Sequence, residues 1–158
     1  MAGVGAGSEV PHLPGARVLV VEARYYAHIN DLLLAGALAK LELAGAEVTH
    51  VTVPGALEIP PAVAIAQAGG RFDGYVALGC VIRGETTHYD LVAGESCRGL
   101  MELGLRTGAA IGNGILTVEN ERQALERADP ALQDKGGGAA FAALSLMALR
   151  RRLGGAQR

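Results

Sequence analysis

The sequence predicts an α/β protein: a three-layer α/β/α sandwich around a four-stranded parallel sheet. Three observations predict it. Short valine-rich apolar runs alternate with longer segments of helical period, which is the pattern of strands joined by helical crossovers. The first run, Arg17 to Ala23, is mostly apolar, as in a buried parallel strand, while Glu47 to Val53 alternates. Hydrophobic residues make up 50% of the sequence but aromatic residues only 4%, so small aliphatic side chains must build the core by close helix-on-sheet packing. Crossovers between parallel strands are right-handed; periodicity alone does not order the strands.

Taken in order, Arg17 to Ala23 (RVLVVEA) is the first strand. His28 to Ala44 carries apolar residues on a helical period, with Asn30 or Asp31 to cap its start and Gly45 to end it. Glu47 to Val53 is the second strand, stopped by Pro54-Gly55. Leu57 to Ala68 is a helix whose two prolines, Pro60 and Pro61, are tolerable only in a first turn; Gly69-Gly70 closes it. Gly74 to Ile82 is the third strand and His88 to Thr107 the helix after it, ended by Gly108. Ala109 to Val118 is the fourth strand, weakened by Gly112 and Gly114. Glu119 to Ala128 is a short helix with an acidic first turn, and Asp129 to Asp134 is a loop. Gly136 to Leu153 is an alanine-rich helix ending in three arginines, the polarity a helix dipole favours. Residues 1–15, rich in Gly, Ala and Ser, read as a flexible arm, and 16–158 as a single domain.

A formal net charge of −2 argues against a nucleic-acid binder driven by bulk electrostatics. No apolar run approaches the ~20 residues that span a bilayer, and the start lacks the pattern of a signal peptide. Cys80 and Cys97 have neither metal spacing nor a disulfide framework, and free thiols fit a cytoplasmic protein. No metal site is expected.

Three strand ends collect the residues that can carry chemistry. Arg24, Tyr25, Tyr26 and His28 follow the first strand; Gly55, Ala56, Leu57 and Glu58 follow the second; the turn from Gly84 to His88 follows the third. In a parallel sheet these turns open on one edge, where ligands bind. Successive amides between Gly84 and His88, with the Thr86 and Thr87 hydroxyls, suit an anion such as phosphate. An ordinary N-capping segment is the alternative, and Glu85 opposes an anion unless its carboxylate faces water. An imidazole titrates near ~6.5 and suits proton transfer at His88, although a lone histidine is as readily solvated or structural. His50, inside a strand, reads as structural. Tyr25 can stack on a flat ring or serve as a packing staple. Glu58 can hold hydroxyls of a polyol or favour its helix terminus. Arg127 and Lys135 flank a loop and are either solvated or a second hold on phosphate.

The run Gly79-Cys80-Val81-Ile82-Arg83-Gly84-Glu85-Thr86-Thr87-His88-Tyr89-Asp90 resembles the signature of the 6,7-dimethyl-8-ribityllumazine synthase family. Ala23-Arg24-Tyr25, Val53 to Pro60, Gly114-Ile115-Leu116-Thr117, Glu126-Arg127-Ala128 and Lys135-Gly136 fall in the family's order and spacing, so the resemblance covers about Arg17 to Leu153. It implies a flavodoxin-like fold and a condensation of 5-amino-6-(D-ribitylamino)uracil with 3,4-dihydroxy-2-butanone 4-phosphate in riboflavin biosynthesis, with no cofactor. It implies Tyr25 stacked on the pyrimidine, Ala56, Leu57 and Glu58 holding the ring and ribityl chain, and Cys80, Val81 and Ile82 lining the ring site through their backbone. It implies phosphate at the Glu85–Thr86 amides, His88 as the proton-transfer residue, and Asn113, Arg127 and Lys135 arriving from a neighbouring subunit. Small-molecule substrates and a homopentamer with shared active sites follow, with no nucleic-acid or membrane partner.

Several positions depart from the family pattern: Tyr25 for Phe or Trp, Tyr26 for Asn, Leu57 and Asn113 for Phe, Gly138 for an acidic residue, and Glu85 for a small residue. Those at Tyr26, Asn113 and Gly138 leave a second reading, a paralogue that binds flavin or lumazine as a carrier or scaffold with little synthesis. The loop Asp129 to Asp134 lacks the Gly-x-Lys-Ala-Gly-Asn pattern often found in members that build icosahedral shells, which favours a free pentamer.

Overall fold

The computed structural model describes residues 9–154. Along the chain come β1 (Arg17–Ala23), α1 (Ala27–Ala44), β2 (Glu47–Val53), a 3-10 turn (Ala56–Glu58) and α2 (Ile59–Gly69). They are followed by β3 (Gly74–Ile82), α3 (His88–Thr107), β4 (Ile111–Val118), α4 (Glu121–Ala128) and α5 (Lys135–Arg152). All strand pairs are parallel and the sheet order is β2-β1-β3-β4, which matches the start of the flavodoxin-like order.

The period-two geometry of the strands divides the core. Val18 and Val20 of β1, with Val76 and Leu78 of β3 and Leu116 and Val118 of β4, pack against α1, α4 and α5. Leu19, Val21 and Ala23, with Tyr75, Ala77 and Ile115, pack against Ile59 and Val63 of α2 and Leu100 of α3. The chain thus leaves β1 over one face and leaves β2 and β3 over the other. The reversal falls between β1 and β3, so the crevice outside their carboxyl ends is the topological switch point. Strand β2 has a neighbour on one side only, and its residues are exposed except for the half-buried Val53.

The first three strands, the helix over His88–Thr107 and the first-turn prolines of α2 stand where the sequence predicts them. The fourth strand begins two residues later than expected, at Ile111, and the short helix at Glu121 instead of Glu119. The start of α1 is a correction. Its N-cap is Tyr26, with no side-chain cap. Asn30 is buried and donates to Glu22, while Asp31 pairs with Arg24, so neither is available to cap. The first eight residues of the expected arm lie outside the described residues. Nearer the domain, Leu13 is 4% exposed and its amide donates to the Ala44 carbonyl at 2.8 Å, and Gly15 donates to the Gly45 carbonyl at 2.9 Å. Leu13 therefore belongs to the core.

Asp134 starts α5 from a left-handed conformation, with φ 48°, the only non-glycine residue of positive φ among the described residues. Its Oδ1 accepts from the Gly137 amide at 3.1 Å, so one side chain both tolerates the turn and caps the helix. Burial pushes its carboxyl above the ordinary 3.8, against the opposing pull of the Gly137 amide and Lys40. Folding therefore favours the protonated form. That contribution to stability is full below 3.8, is lost as pH rises through the raised folded value, and is absent at neutrality. Asp134→Asn keeps the turn and the cap without the charge, so it is expected to raise the melting temperature at neutral pH. Asp134→Ala loses both and is expected to cost about 1–2 kcal/mol. Thermal melts across the acid range check this; an Asn variant no more stable than the parent at neutral pH would show that the buried charge costs nothing.

Candidate active site

The carboxyl edge of the sheet brings three turns to one rim. β1 ends in Arg24–Tyr26. β2 ends in Pro54-Gly55 and the 3-10 turn Ala56–Glu58. β3 ends in Arg83–Thr87, which leads into α3. The 3-10 turn packs against both β3 and α3.

Each turn has its own local cause. In the first, Arg24 donates to the Ala27 carbonyl at 3.3 Å and also pairs with Glu22 and Asp31, tying the strand end to the helix start. Tyr25 is left 77% exposed, its ring edge-on to Tyr26 with centroids 4.9 Å apart. In the second, the Glu58 carboxylate folds back over Gly55: a Cβ there would lie 3.1 Å from Oε2. Ala56 is buried and Leu57 exposed. In the third, the Thr86 hydroxyl accepts from the His88 amide at 3.3 Å, while Thr87, the N-cap of α3, makes no side-chain cap. The turn is exposed and opens a helix, where an anion is favoured. Glu85, Thr86 and His88 are all exposed.

Arg83 braces this third turn. It donates to Glu119 at 2.7 Å, approaches Asp90 at 3.5 Å, and stacks 4.2 Å above the Tyr89 ring. The hydrogen bond to Glu119 chiefly raises its pKa, so it remains a fixed cation. Cys80 faces the α1 side of the core, and burial pushes its thiol up to about 12. It can contribute backbone groups but no thiolate at neutral pH. Val81 faces the other side, against α2 and α3; Ile82 is half-buried on the α1 side.

Asn113, Arg127 and Lys135 are not gathered at the rim with Glu58 and His88. Asn113 lies within β4, paired with Ala77, and its amide reaches Cys97 of α3 at 3.4 Å. It lines an apolar groove of about 430 Å³ with Leu100, Met101, Leu105, Leu146 and Leu149, away from the three turns. Arg127, on α4, donates to the Gln123 carbonyl at 3.1 Å, and Lys135 opens α5; both helices cover the face opposite α2 and α3. One chain thus presents two incomplete surfaces.

Beneath the rim lies a buried carboxylate outside the motifs. Glu22 is fully buried in β1 and touches Arg24, Asn30 and His50. The signal for it was present, since one carboxylate interrupts an otherwise apolar strand (VLVVEA).

The family model for 6,7-dimethyl-8-ribityllumazine synthase matches residues 15–151. A protein of that name from Erythrobacter litoralis is 62% identical over 139 residues, 88% of this chain and 99% of the relative. One from Novosphingobium aromaticivorans is 64% identical over 87% of this chain and 98% of its own length. One from Methylobacterium radiotolerans is 63% identical over 93% of this chain and 90% of its own length.

Proposed function

The chain belongs to the 6,7-dimethyl-8-ribityllumazine synthase family, and on that premise we propose that the rim, completed by a neighbouring protomer, performs the family's condensation. The substrates are 5-amino-6-(D-ribitylamino)uracil and 3,4-dihydroxy-2-butanone 4-phosphate. The observation that carries the reading is that an exposed aromatic ring, a carboxylate turn and an imidazole-bearing turn follow three adjacent parallel strands at one edge of the sheet.

The pyrimidine stacks on Tyr25, and Glu58 with the Ala56 and Leu57 backbone holds the ring edge and ribityl hydroxyls. The backbone from Cys80 to Ile82 lines the slot. The Glu85–Thr86 amides take the phosphate. The substrate's amine attacks the ketone, and water leaves as the imine forms. Phosphate is then eliminated, and the ribityl-bearing nitrogen closes the second ring with loss of a further water. Each step moves protons and none consumes an external oxidant or reductant. Holding two reactants in register supplies much of the rate, because the amine is already nucleophilic. His88 moves the protons. Asn113, Arg127 and Lys135 of an adjoining copy complete the cavity, Arg127 against the phosphate and Lys135 near the pyrimidine.

Two observations support a homopentamer with shared sites. The expected site residues fall on two separate surfaces of one chain. Around the groove beside Asn113, moreover, Met101, Leu105, Leu146 and Leu153 leave large apolar side chains in water, more than a lone domain usually tolerates in one patch. A cytoplasmic location fits the two free cysteines and the absence, among the described residues, of a helix long and apolar enough to cross a membrane. The relatives are named as synthases, which gives the carrier alternative no support.

Purified protein is expected to sediment as a pentamer and to form the lumazine from the two substrates. Arg127→Ala is expected to raise KM for the phosphorylated substrate about tenfold or more, with the pyrimidine KM nearly unchanged. Equal KM values for parent and variant would remove Arg127 from the phosphate site.

A further inference from the structure

Glu22 is the one carboxylate buried completely in the strand core among the described residues, and no step of the condensation uses it. Its oxygens are spoken for. Oε1 accepts from Arg24 and from the Asn30 amide, the latter at 3.1 Å, and Oε2 pairs with His50 of the adjacent strand. Asn30 makes this arrangement at a cost, since its own Oδ1 is buried without a partner. An orphaned buried acceptor is destabilising, because it has given up its water without a replacement. Keeping an asparagine there makes sense only if its amide donor matters.

The recipient of this effort is the turn above. α1 starts at Tyr26 without a side-chain cap and with no acidic residue in its first turn. A lone arginine beside a helix N-terminus opposes the helix dipole. Arg24 nevertheless lies there, 29% exposed in its side chain, because Glu22 beneath it and Asp31 beside it neutralise its charge. With its remaining bond to the Ala27 carbonyl, the guanidinium closes the four-residue turn Arg24–Ala27 from both ends. Tyr25 is carried by that turn and has only Tyr26 as an aromatic neighbour. At its far side the turn is held by the Tyr26 carbonyl, which accepts from the Ile29 and Asn30 amides at 3.1 and 3.0 Å; at its near side it is held by Arg24.

We propose that Glu22 is a positioning residue for the condensation: through Arg24 it sets the Arg24–Ala27 turn and so the plane of the Tyr25 ring that receives the pyrimidine. His50 and Asn30 hold the carboxylate from β2 and α1. The inference rests on the stacking role proposed for Tyr25.

The test uses Glu22→Gln and Arg24→Lys, each alone and combined with Tyr25→Ala, with KM measured separately for both substrates and melting followed alongside. Arg24→Lys keeps the charge but loses the planar fork that reaches three acceptors. Each single variant is expected to raise the pyrimidine KM about tenfold while changing the KM of the phosphorylated substrate less than about twofold. In the Tyr25→Ala background neither should raise it further. A general loss of fold would lower the active fraction and the melting temperature without separating the two KM values. If Glu22→Gln does not fold, Arg24→Lys, altered at a partly exposed side chain, carries the test. An unchanged pyrimidine KM in the single variants, a parallel rise in both KM values, or a full effect that persists without Tyr25 overturns the proposal. A Tyr25→Ala enzyme with unchanged pyrimidine KM overturns the stacking role itself, and this inference with it, a result visible before any brace variant is made.

Discussion

Gly112→Ala is expected to leave little folded protein. A Cβ at Gly112 would stand 1.8 Å from the Ala139 carbonyl oxygen, 2.7 Å from its carbon and 3.2 Å from the Ala143 nitrogen. These are backbone atoms of α5, so no rotamer change can clear them. The neighbouring contact is as close: a Cβ at Gly136 would meet the Leu33 carbonyl oxygen of α1 at 2.0 Å. α5 is therefore clamped between β4 and α1 with no space for a methyl on either side. Overpacking typically costs about 1–3 kcal/mol where side chains can adjust, and a backbone clash belongs at or above the top of that range. Against a total stability of about 5–15 kcal/mol, that removes a large share. Gly69→Ala is the control. It lies in the last turn of α2 with nothing within 4 Å of the added atom, and is expected to gain a few tenths to about 1 kcal/mol. Urea midpoints and soluble yields of the two variants should move in opposite directions. An unchanged midpoint for Gly112→Ala would mean that α5 can ride away from the sheet, taking Lys135 with it.

The same glycine shows where a linear reading fails. In sequence, Gly112 and Gly114 weaken the case for a strand, because glycine packs nothing and costs backbone entropy. In the fold they are what lets a helix approach the strand backbone, a reason that resides about thirty residues away at Ala139. Asn30 is a second case. Its type and place suggest a helix cap, but a buried carboxylate eight residues upstream claims its amide. Both misreadings have one cause: the competing partner is distant along the chain or on another element.

What was legible depended on local signals. The apolar runs of β1 and β3, the alternation of β2 and the terminal glycines of α1 and α3 declare themselves within a few residues. The three rim turns were legible for the same reason, since each directly follows a strand and parallel strands put such turns on one edge. Strand order was not, because pairing is set by crossovers and not by period. The placement of Asn113, Arg127 and Lys135 on other surfaces was not legible from spacing either. It came from the family resemblance, and the geometry of one chain is what makes a second copy necessary to that reading.

His88→Ala is expected to lower kcat roughly 10–100-fold with both KM values nearly unchanged, at or below the low end of what general acid–base catalysis supplies. Several other candidates for proton transfer near the rim are set aside by their surroundings. Cys80 points into the core with its thiol pushed up to about 12. Burial chiefly, then Tyr25 nearby, raises the Tyr26 hydroxyl above its ordinary 10.0, so it stays protonated. Asp90 is within 3.5 Å of Arg83 and belongs to the brace of the turn. His28 pairs with Glu121 on the α4 side. His88 is exposed at the turn that opens α3, and its imidazole is of the side-chain type most used for proton transfer. The loss should stay modest because positioning, not proton transfer, carries most of the acceleration, and the departing phosphate can take up a proton itself. Since the imidazole is open to solvent, added imidazole is expected to restore part of the lost rate. Steady-state kinetics with and without it decide the matter. A variant with normal turnover would take His88 out of the chemistry while leaving the family assignment intact; a variant with raised KM for the phosphorylated substrate and normal kcat would make it a binding group instead.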